Sequence, residues 1–247
     1  MSVLPPDRDA FGEALSVRWR GNNDAGALIE RDDGMVDIDR LDYFAPVRRW
    51  PVHERQAIQR VGGRVLDVGC GSGRVALHLE PRGLDVVSID IAPGALRTAR
   101  ERGARDVRGL AASEVRVDDG PFDSIVMFGN NAGLLRSAQH EPWLLRRFAR
   151  LTGGSGVLVA STLDPYDTTD PLHLTYHGRN QARGRMGGQG RLRVRFQRLA
   201  TPWFDYLFMS IPELERLIHG TGWRLDEVID GARPTYSFVL RGTVGGL

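Results

Sequence analysis

The chain of 247 residues contains no lysine; all 33 of its basic residues are arginine. That absence excludes at once a Schiff-base lysine, a pyridoxal phosphate anchor and a P-loop phosphate lysine. Cysteine is nearly missing too. The single Cys70 can form neither an internal disulfide nor a thiolate zinc site. No apolar run approaches the roughly 18 residues that a bilayer crossing needs, and the opening M-S-V-L-P-P-D-R lacks the apolar core of a secretory signal. A soluble, cytoplasmic protein without a membrane partner is therefore expected. Net charge is also small, at +2, so a general affinity for nucleic acid is not implied.

What is present is concentrated in Val65 to Gly73, V-L-D-V-G-C-G-S-G. Val65, Leu66 and Val68 suit a strand buried on both faces, and Gly69, Gly71 and Gly73 let the following turn bend tightly and approach a ligand. The helix that follows is expected to aim backbone N–H groups at an anionic part of that ligand. A dinucleotide fingerprint starting at Gly69 needs its third glycine at position 74, where the chain has Arg74. With Asp67 two residues ahead, the segment instead resembles the first motif of the class I S-adenosylmethionine-dependent methyltransferases: an acid, then three glycines at alternate positions. A second strand, Leu84 to Asp90, ends in an acid at the separation at which doubly wound folds hold a ribose. The other reading of Asp90 is an N-terminal cap for the helix Pro93 to Arg102.

The resemblance implies a cofactor, S-adenosyl-L-methionine. Gly69, Cys70, Gly71 and Gly73 would take its methionine part through backbone groups, Asp67 the turn or the ammonium, and Asp90 with Ile91 the ribose. Tyr43, in a segment that often folds over the cofactor in such enzymes, is a further contact; a core aromatic is the alternative. Ala111 stands where many relatives carry an aspartate for the adenine amino group. Backbone near Ala111 and Ala112, or the Ser113 hydroxyl, is expected to replace that contact. Asn130 and Asn131 fall at the carboxyl edge of the fourth strand, where cofactor and acceptor meet; ordinary turn chemistry explains them equally well.

Helices alternating with strands through Thr162 predict an α/β fold. The expected architecture is a doubly wound, Rossmann-like, mostly parallel seven-stranded sheet with an antiparallel C-terminal strand, plus a small antiparallel β insertion before the last helix. One methyltransferase domain is expected over 1–247. Its parts are an N-terminal helical cap (1–62), a cofactor-binding core (63–162), a substrate-specificity insertion (163–210), and a C-terminal helix and strands (211–247). Phe11, Leu15 and Trp19 form an apolar helical stripe in the cap, and Ser210 with Glu213 a capping box.

Within the insertion, Leu172 to His177, Arg191 to Phe196 and Trp203 to Met209 all read as extended. Arg191, Arg193 and Arg195 alternate with apolar residues, which gives either a solvated basic face or a pocket wall suited to an acidic or phosphorylated acceptor. His173 and His177, on a strand, would lie too far apart to share a metal, and no metal is expected. As catalytic candidates we take Asn131, His173 and His177, with Tyr166 and Tyr176 as further possible bases. The remaining histidines, His53, His78, His140 and His219, suit surface or capping roles.

The function implied is methyl transfer to oxygen or nitrogen of a small-molecule acceptor by in-line displacement. The only cysteine lies in the glycine turn, so attack on cytosine C5 is excluded. Two other classes stay open: a non-catalytic S-adenosylmethionine-binding protein, and a nucleotide-dependent oxidoreductase. Oligomeric state is left open.

Overall fold

Runs such as Val65 to Val68, Ser124 to Met127 and Val157 to Thr162 are buried almost residue by residue in the computed structural model, which describes residues 2–22, 25–137 and 141–243. Strands covered on both faces favour apolar side chains, and these runs supply them everywhere but at Asp67, Ser124, Ser161 and Thr162.

The first half of the chain forms α1 (Ala10–Trp19), β1 (Ala27–Arg31), β2 (Val36–Asp39), α2 (Val52–Ala57), β3 (Arg64–Val68), α3 (Arg74–Leu79), β4 (Asp85–Asp90), α4 (Pro93–Glu101), β5 (Asp106–Gly109) and β6 (Ser124–Met127). The second half adds α5 (Glu141–Leu151), β7 (Val157–Leu163), α6 (Pro171–Ala182), β8 (Gln189–Phe196), β9 (Leu199–Ala200), β10 (Phe204–Leu207), α7 (Ile211–Ile218), β11 (Trp223–Asp230) and β12 (Thr235–Gly242). Short 3-10 turns connect several of them. The main sheet has seven strands in the order β11-β12-β7-β6-β3-β4-β5. Pairs β3–β4, β4–β5 and β6–β7 are parallel, while β12 runs antiparallel to both β7 and β11. This is the doubly wound architecture expected from the sequence.

The chain divides into two compact units. The first comprises Met1–Arg49, Arg64–Val115 and Arg191–Phe204; the second comprises Trp50–Gly63, Arg116–Gly190 and Asp205–Leu247. In the first unit α1 lies on α4. A Cβ at Gly94 would come within 2.4 Å of the Gly12 backbone, so the two helices touch through bare backbone. Asp9 joins them: its Oδ1 accepts from Gly12 N at 2.9 Å and its Oδ2 from Gly94 N at 2.6 Å. Ala10, Ala14, Leu15, Leu41 and Ala95 pack the interface, together with Val194 and Phe196 of β8. In the second unit Phe122, Ile125, Phe148, Leu158 and Phe238 are wholly or almost wholly buried. The Ser210–Glu213 capping box opens α7 as expected, with Ser210 N donating to Glu213 Oε2 at 2.9 Å.

Two expectations are corrected. The first 62 residues are not only helices and loops: β1 and β2 form an antiparallel hairpin, and β1 pairs antiparallel with β8, Leu28 opposite Arg195. The insertion therefore builds its small sheet together with the N-terminal segment. Leu172 to His177 is not extended but lies within α6. Asp170 starts that helix, its side chain accepting from Leu172 N at 2.8 Å, and Pro171 takes the first helical position.

Candidate functional site

In the first unit the site is built on the turn between β3 and α3. Gly69, Gly71 and Gly73 all have left-handed φ, +71°, +53° and +76°, which is why no side-chain-bearing residue substitutes easily there. The turn is tied to β4 by three donors. Gly69 N and Cys70 N both donate to Ile89 O, at 2.9 and 3.0 Å, and Gly71 N donates to Asp90 Oδ2 at 2.9 Å. The fold already uses these three amides. What the turn offers instead is its close backbone approach and its acids.

Asp67, the fourth residue of β3, is buried, and its Oδ2 has no hydrogen-bond donor. Burial pushes its carboxyl up to about 7, against the pull of the Arg74 charge and with a further push from Asp90. A buried acceptor of this kind calls for a cationic or N–H-bearing partner. The ammonium of an amino-acid tail has that chemistry. Asp90 accepts from Ala92 N through Oδ1 at 2.9 Å as well as from Gly71 N. It is not the N-cap of α4, which is Ala92. Burial raises its carboxyl pKa, and the backbone donors oppose that rise. Each carboxylate oxygen can accept two bonds, so the group retains acceptor capacity for a sugar hydroxyl. Cys70 is buried, its thiol pushed well up by desolvation and by Asp90 and Asp67; a thiol held neutral is a filler in the turn.

Tyr43 lies against the turn: its carbonyl accepts from Ser72 Oγ at 2.7 Å, and the Arg74 guanidinium lies 5.8 Å from its ring centre. Ile91 O accepts from Leu4 N at 2.8 Å, so the extreme N-terminal segment runs beside it. At Ala111 the structure supplies an acid that the sequence reading missed. Glu114 Oε2 accepts from Ala111 N at 2.8 Å, and Glu114 N donates back to Ala111 O at 2.8 Å. That amide is engaged, and Ala112 and Ser113 lie within the closed loop. A glutamate three residues past the motif position was the available signal.

In the second unit the turn after β6 is braced by Glu54, a buried carboxylate on α2. Its Oε1 accepts from Gly129 N at 2.7 Å and from Ser161 Oγ at 2.8 Å. Asn130 is left-handed, φ +64°, with its N–H on Ser161 Oγ at 3.1 Å and its carbonyl taking the Tyr206 hydroxyl at 2.7 Å. Asn131 opens the 3-10 turn Asn131–Leu135. Neither Glu54 nor Tyr206 carries a sequence signal of its own, because both lie in ordinary amphipathic segments.

His173 and His177 stand one turn apart on α6, ring centres 6.2 Å apart, so the strand geometry that separated them is corrected. No group of three metal-ligating side chains occurs among the described residues. His177 is buried edge-on against Tyr166, 5.8 Å between ring centres. Tyr166 donates to Glu213 Oε1 at 2.5 Å and accepts from Gly187 N at 3.2 Å; burial and the Glu213 charge raise its phenol pKa. A cavity of about 310 Å³ opens beside it, lined by Gln181, Arg185, Met186, Gln189 and Arg216. Gln189 Oε1 is buried there without a donor. On the basic face of β8 two of the three arginines are paired with an acid. Arg193 and Arg195 both reach Glu30 of the hairpin, and Arg193 lies 4.7 Å from the Trp203 ring centre. His53 bonds Ser237 Oγ at 2.7 Å and is a core histidine; His140 lies outside the described residues.

A seven-stranded sheet ending in an antiparallel pair, with an acid–glycine turn after one parallel strand and a second acid ending its neighbour, defines the methyltransferase class of doubly wound folds. Residues 42–228 match a family model described as a methyltransferase domain, and the chain belongs to that family. Among curated relatives, the ubiquinone biosynthesis O-methyltransferase of Dechloromonas aromatica (strain RCB) is 29% identical over 162 residues, 63% of this chain and 62% of that protein. Its counterpart in Azorhizobium caulinodans is 29% identical over 170 residues, 66% of this chain and 64% of that protein. The match thus spans less than two thirds of either relative. In fold the chain is similar to a SAM-dependent methyltransferase from Bacteroides fragilis solved in complex with S-adenosyl-L-homocysteine, with a TM-score of 0.81, 23% identity and 98% of each chain covered. No helix among the described residues is long and apolar enough to cross a membrane.

Proposed function

We propose that this chain is a cytoplasmic S-adenosyl-L-methionine-dependent methyltransferase acting as one domain on an oxygen of a small-molecule acceptor. The observation that carries the reading is the pair of acids at the glycine turn: Asp67 buried with an oxygen lacking a donor, and Asp90 bonded to Gly71 with acceptor capacity remaining. The first suits an ammonium, the second a ribose. S-adenosylmethionine carries both, and bound there it supplies a methyl group already activated on a sulfonium. The Dechloromonas relative's description as an O-methyltransferase supports oxygen as the receiving atom.

With activation residing in the donor, the protein's part is orientation and exclusion of water. Asp67, Gly69, Gly71, Gly73 and Asp90 fix the donor's two ends, while Cys70 fills the turn. Tyr43 covers it, and Ile91, Ala111 and Ala112 flank the nucleoside. On the acceptor side Glu54 and Ser161 hold the Gly129–Asn131 turn in one shape, with Asn130 and Asn131 orienting the acceptor. His177, with His173 one turn away, is the group we assign to take the hydroxyl proton from an acceptor that must lose one. The guanidinium groups of Arg185 and Arg216 at the cavity beside Tyr166 favour an acceptor that carries a carboxylate or phosphate.

The test is methyl transfer from isotopically methyl-labelled donor to a panel of small phenols and hydroxy acids, read by mass spectrometry. Label on an oxygen of an acidic phenol, abolished in His177→Ala with donor binding unchanged, is the expected result. Donor binding without transfer to any member would favour a non-catalytic binding protein, and binding of a nicotinamide nucleotide alone would overturn the reading.

A further inference from the structure

Ser72 and Arg102 are two polar groups that the donor reading does not use, and both point at the same backbone. Ser72, almost fully buried between Gly71 and Gly73, donates its hydroxyl to Tyr43 O at 2.7 Å. Arg102, just past the end of α4, donates through Nη1 to Ser72 O at 2.6 Å and Ser72 Oγ at 2.9 Å, and through Nη2 to Phe44 O at 3.4 Å. Its guanidinium plane packs on Phe44 and Trp19, at 5.0 and 5.6 Å from their ring centres. Trp19 and Phe44 themselves stack at 5.8 Å with planes 14° apart.

We propose that Ser72 and Arg102 form a latch that seats the 39–46 segment on the glycine turn, and that Arg102 is thereby a positioning residue for donor binding. The inference rests on the donor reading above and adds to it a mechanical link. Consecutive residues of the turn carry the two ends of that link. Gly71 N is held by Asp90, and Ser72 by Arg102 at the far end of the helix that follows Asp90. Whatever moves the turn to accommodate a ligand moves the anchor of the segment.

The segment is built for one conformation. Asp39 accepts from Leu41 N through Oδ1 and from the Tyr43 hydroxyl through Oδ2, both at 2.8 Å. Leu41 is fully buried yet left-handed, φ +55°, a conformation that a non-glycine residue keeps only where its surroundings impose it. Phe11 meets Tyr43 edge-on at 6.1 Å. Burial lowers the Arg102 guanidinium to about 10. A half-buried cation satisfied by carbonyls, a hydroxyl and aromatic faces loses those contacts if its partners move.

The experiment compares wild type with Arg102→Met, Arg102→Lys and Ser72→Ala, each checked for a cooperative thermal transition. Three readouts are followed: calorimetric affinity for S-adenosylmethionine, tryptic cleavage at Arg40, Arg48 and Arg49, and the ligand-induced change in tryptophan emission that Trp19→Phe removes. Wild type should bind and become resistant to cleavage in the segment. Arg102→Met should bind about tenfold more weakly, the loss of about 1.4 kcal/mol expected for one good interaction, and should lose both the protection and the Trp19 signal. Arg102→Lys, lacking the planar fork, should fall near Met. If Arg102→Met fails to fold, Ser72→Ala, which deletes a single hydroxyl, is held to the same outcome. Wild-type affinity and protection in the variants would overturn the latch. Absence of binding by wild type would overturn the donor reading instead, and the two failures are distinct.

Discussion

Asp90 Oδ2 holds the amide of Gly71 at 2.9 Å, so the acid that ends β4 and the glycine turn that follows β3 are a single hydrogen-bonded structure. The acid we propose for the ribose is thus also the brace of the turn we propose for the methionine end. Charged hydrogen bonds of this kind contribute about 1.5–3 kcal/mol each, and here one side chain makes two, to Gly71 and Ala92.

Replacing Asp90 should therefore act on stability and binding together. Asp90→Ala is expected to lower unfolding free energy by about 2–4 kcal/mol, with two donors left buried, and to reduce S-adenosylmethionine affinity by at least about tenfold. Asp90→Asn keeps one acceptor and should fall between. Thermal unfolding and calorimetry on the same samples check both.

Asp67 predicts a pH dependence with a definite sign. Its carboxyl titrates near 7 in the free protein, and only the ionised form attracts an ammonium. Affinity for S-adenosylmethionine should rise as pH increases from about 6 to 8, by up to tenfold per unit below the pKa, with proton release on binding. 5′-Methylthioadenosine, which lacks the amino-acid tail, should show no such rise. For stability the sign is opposite. A carboxyl raised above its unfolded value of 3.8 leaves the ligand-free fold most stable below that value. The contribution is lost progressively as pH climbs toward 7, and bound donor should restore it.

The bare-backbone contact between α1 and α4 gives a purely structural test. Gly94→Ala places a methyl 2.4 Å from the Gly12 carbonyl carbon, so the helices must part. A loss of about 1–3 kcal/mol is expected from such overpacking, read as a fall in melting temperature. Gly103→Ala, with only one atom near at 3.9 Å, tests instead the strain of its φ of +104°.

Glu54→Ala removes the shared acceptor of Gly129 N and Ser161 Oγ. The buried Ser161 hydroxyl and the half-buried Gly129 amide then lose their partner, at a cost of about 1–3 kcal/mol for a fully buried donor, and the Asn130 turn loses its brace. Transfer rate should fall while donor affinity stays near wild type, a split visible when kcat and the donor Kd are measured separately.

Much of this was legible in the residues. The turn of Val65 to Gly73 and the acid at 90 encode their structure locally, as one strand, one bend and one spacing, and the central strands β3, β6 and β7 are short, mostly apolar runs. What escaped was either ambiguous or distant. Leu172 to His177 alternates apolar and polar over six residues and so imitates a strand, whereas the stronger signal was the helix start at Asp170-Pro171. The β1–β2 hairpin shows the same period of two at Val36 to Asp39. Its pairing of Leu28 with Arg195 joins segments far apart in the chain, and that pairing brings Glu30 to the arginines read as a basic face. Glu54, Glu114 and Arg102 become functional candidates only through what they touch.

The most direct measurement is equilibrium binding of S-adenosylmethionine to wild type and to the double variant Asp67→Asn, Asp90→Asn at pH 8. The account predicts a single saturable site in wild type and at least a hundredfold loss in the variant, about 2.7 kcal/mol or more, with the fold retained by circular dichroism. Equal affinity in the two proteins, or no binding to wild type, would contradict it.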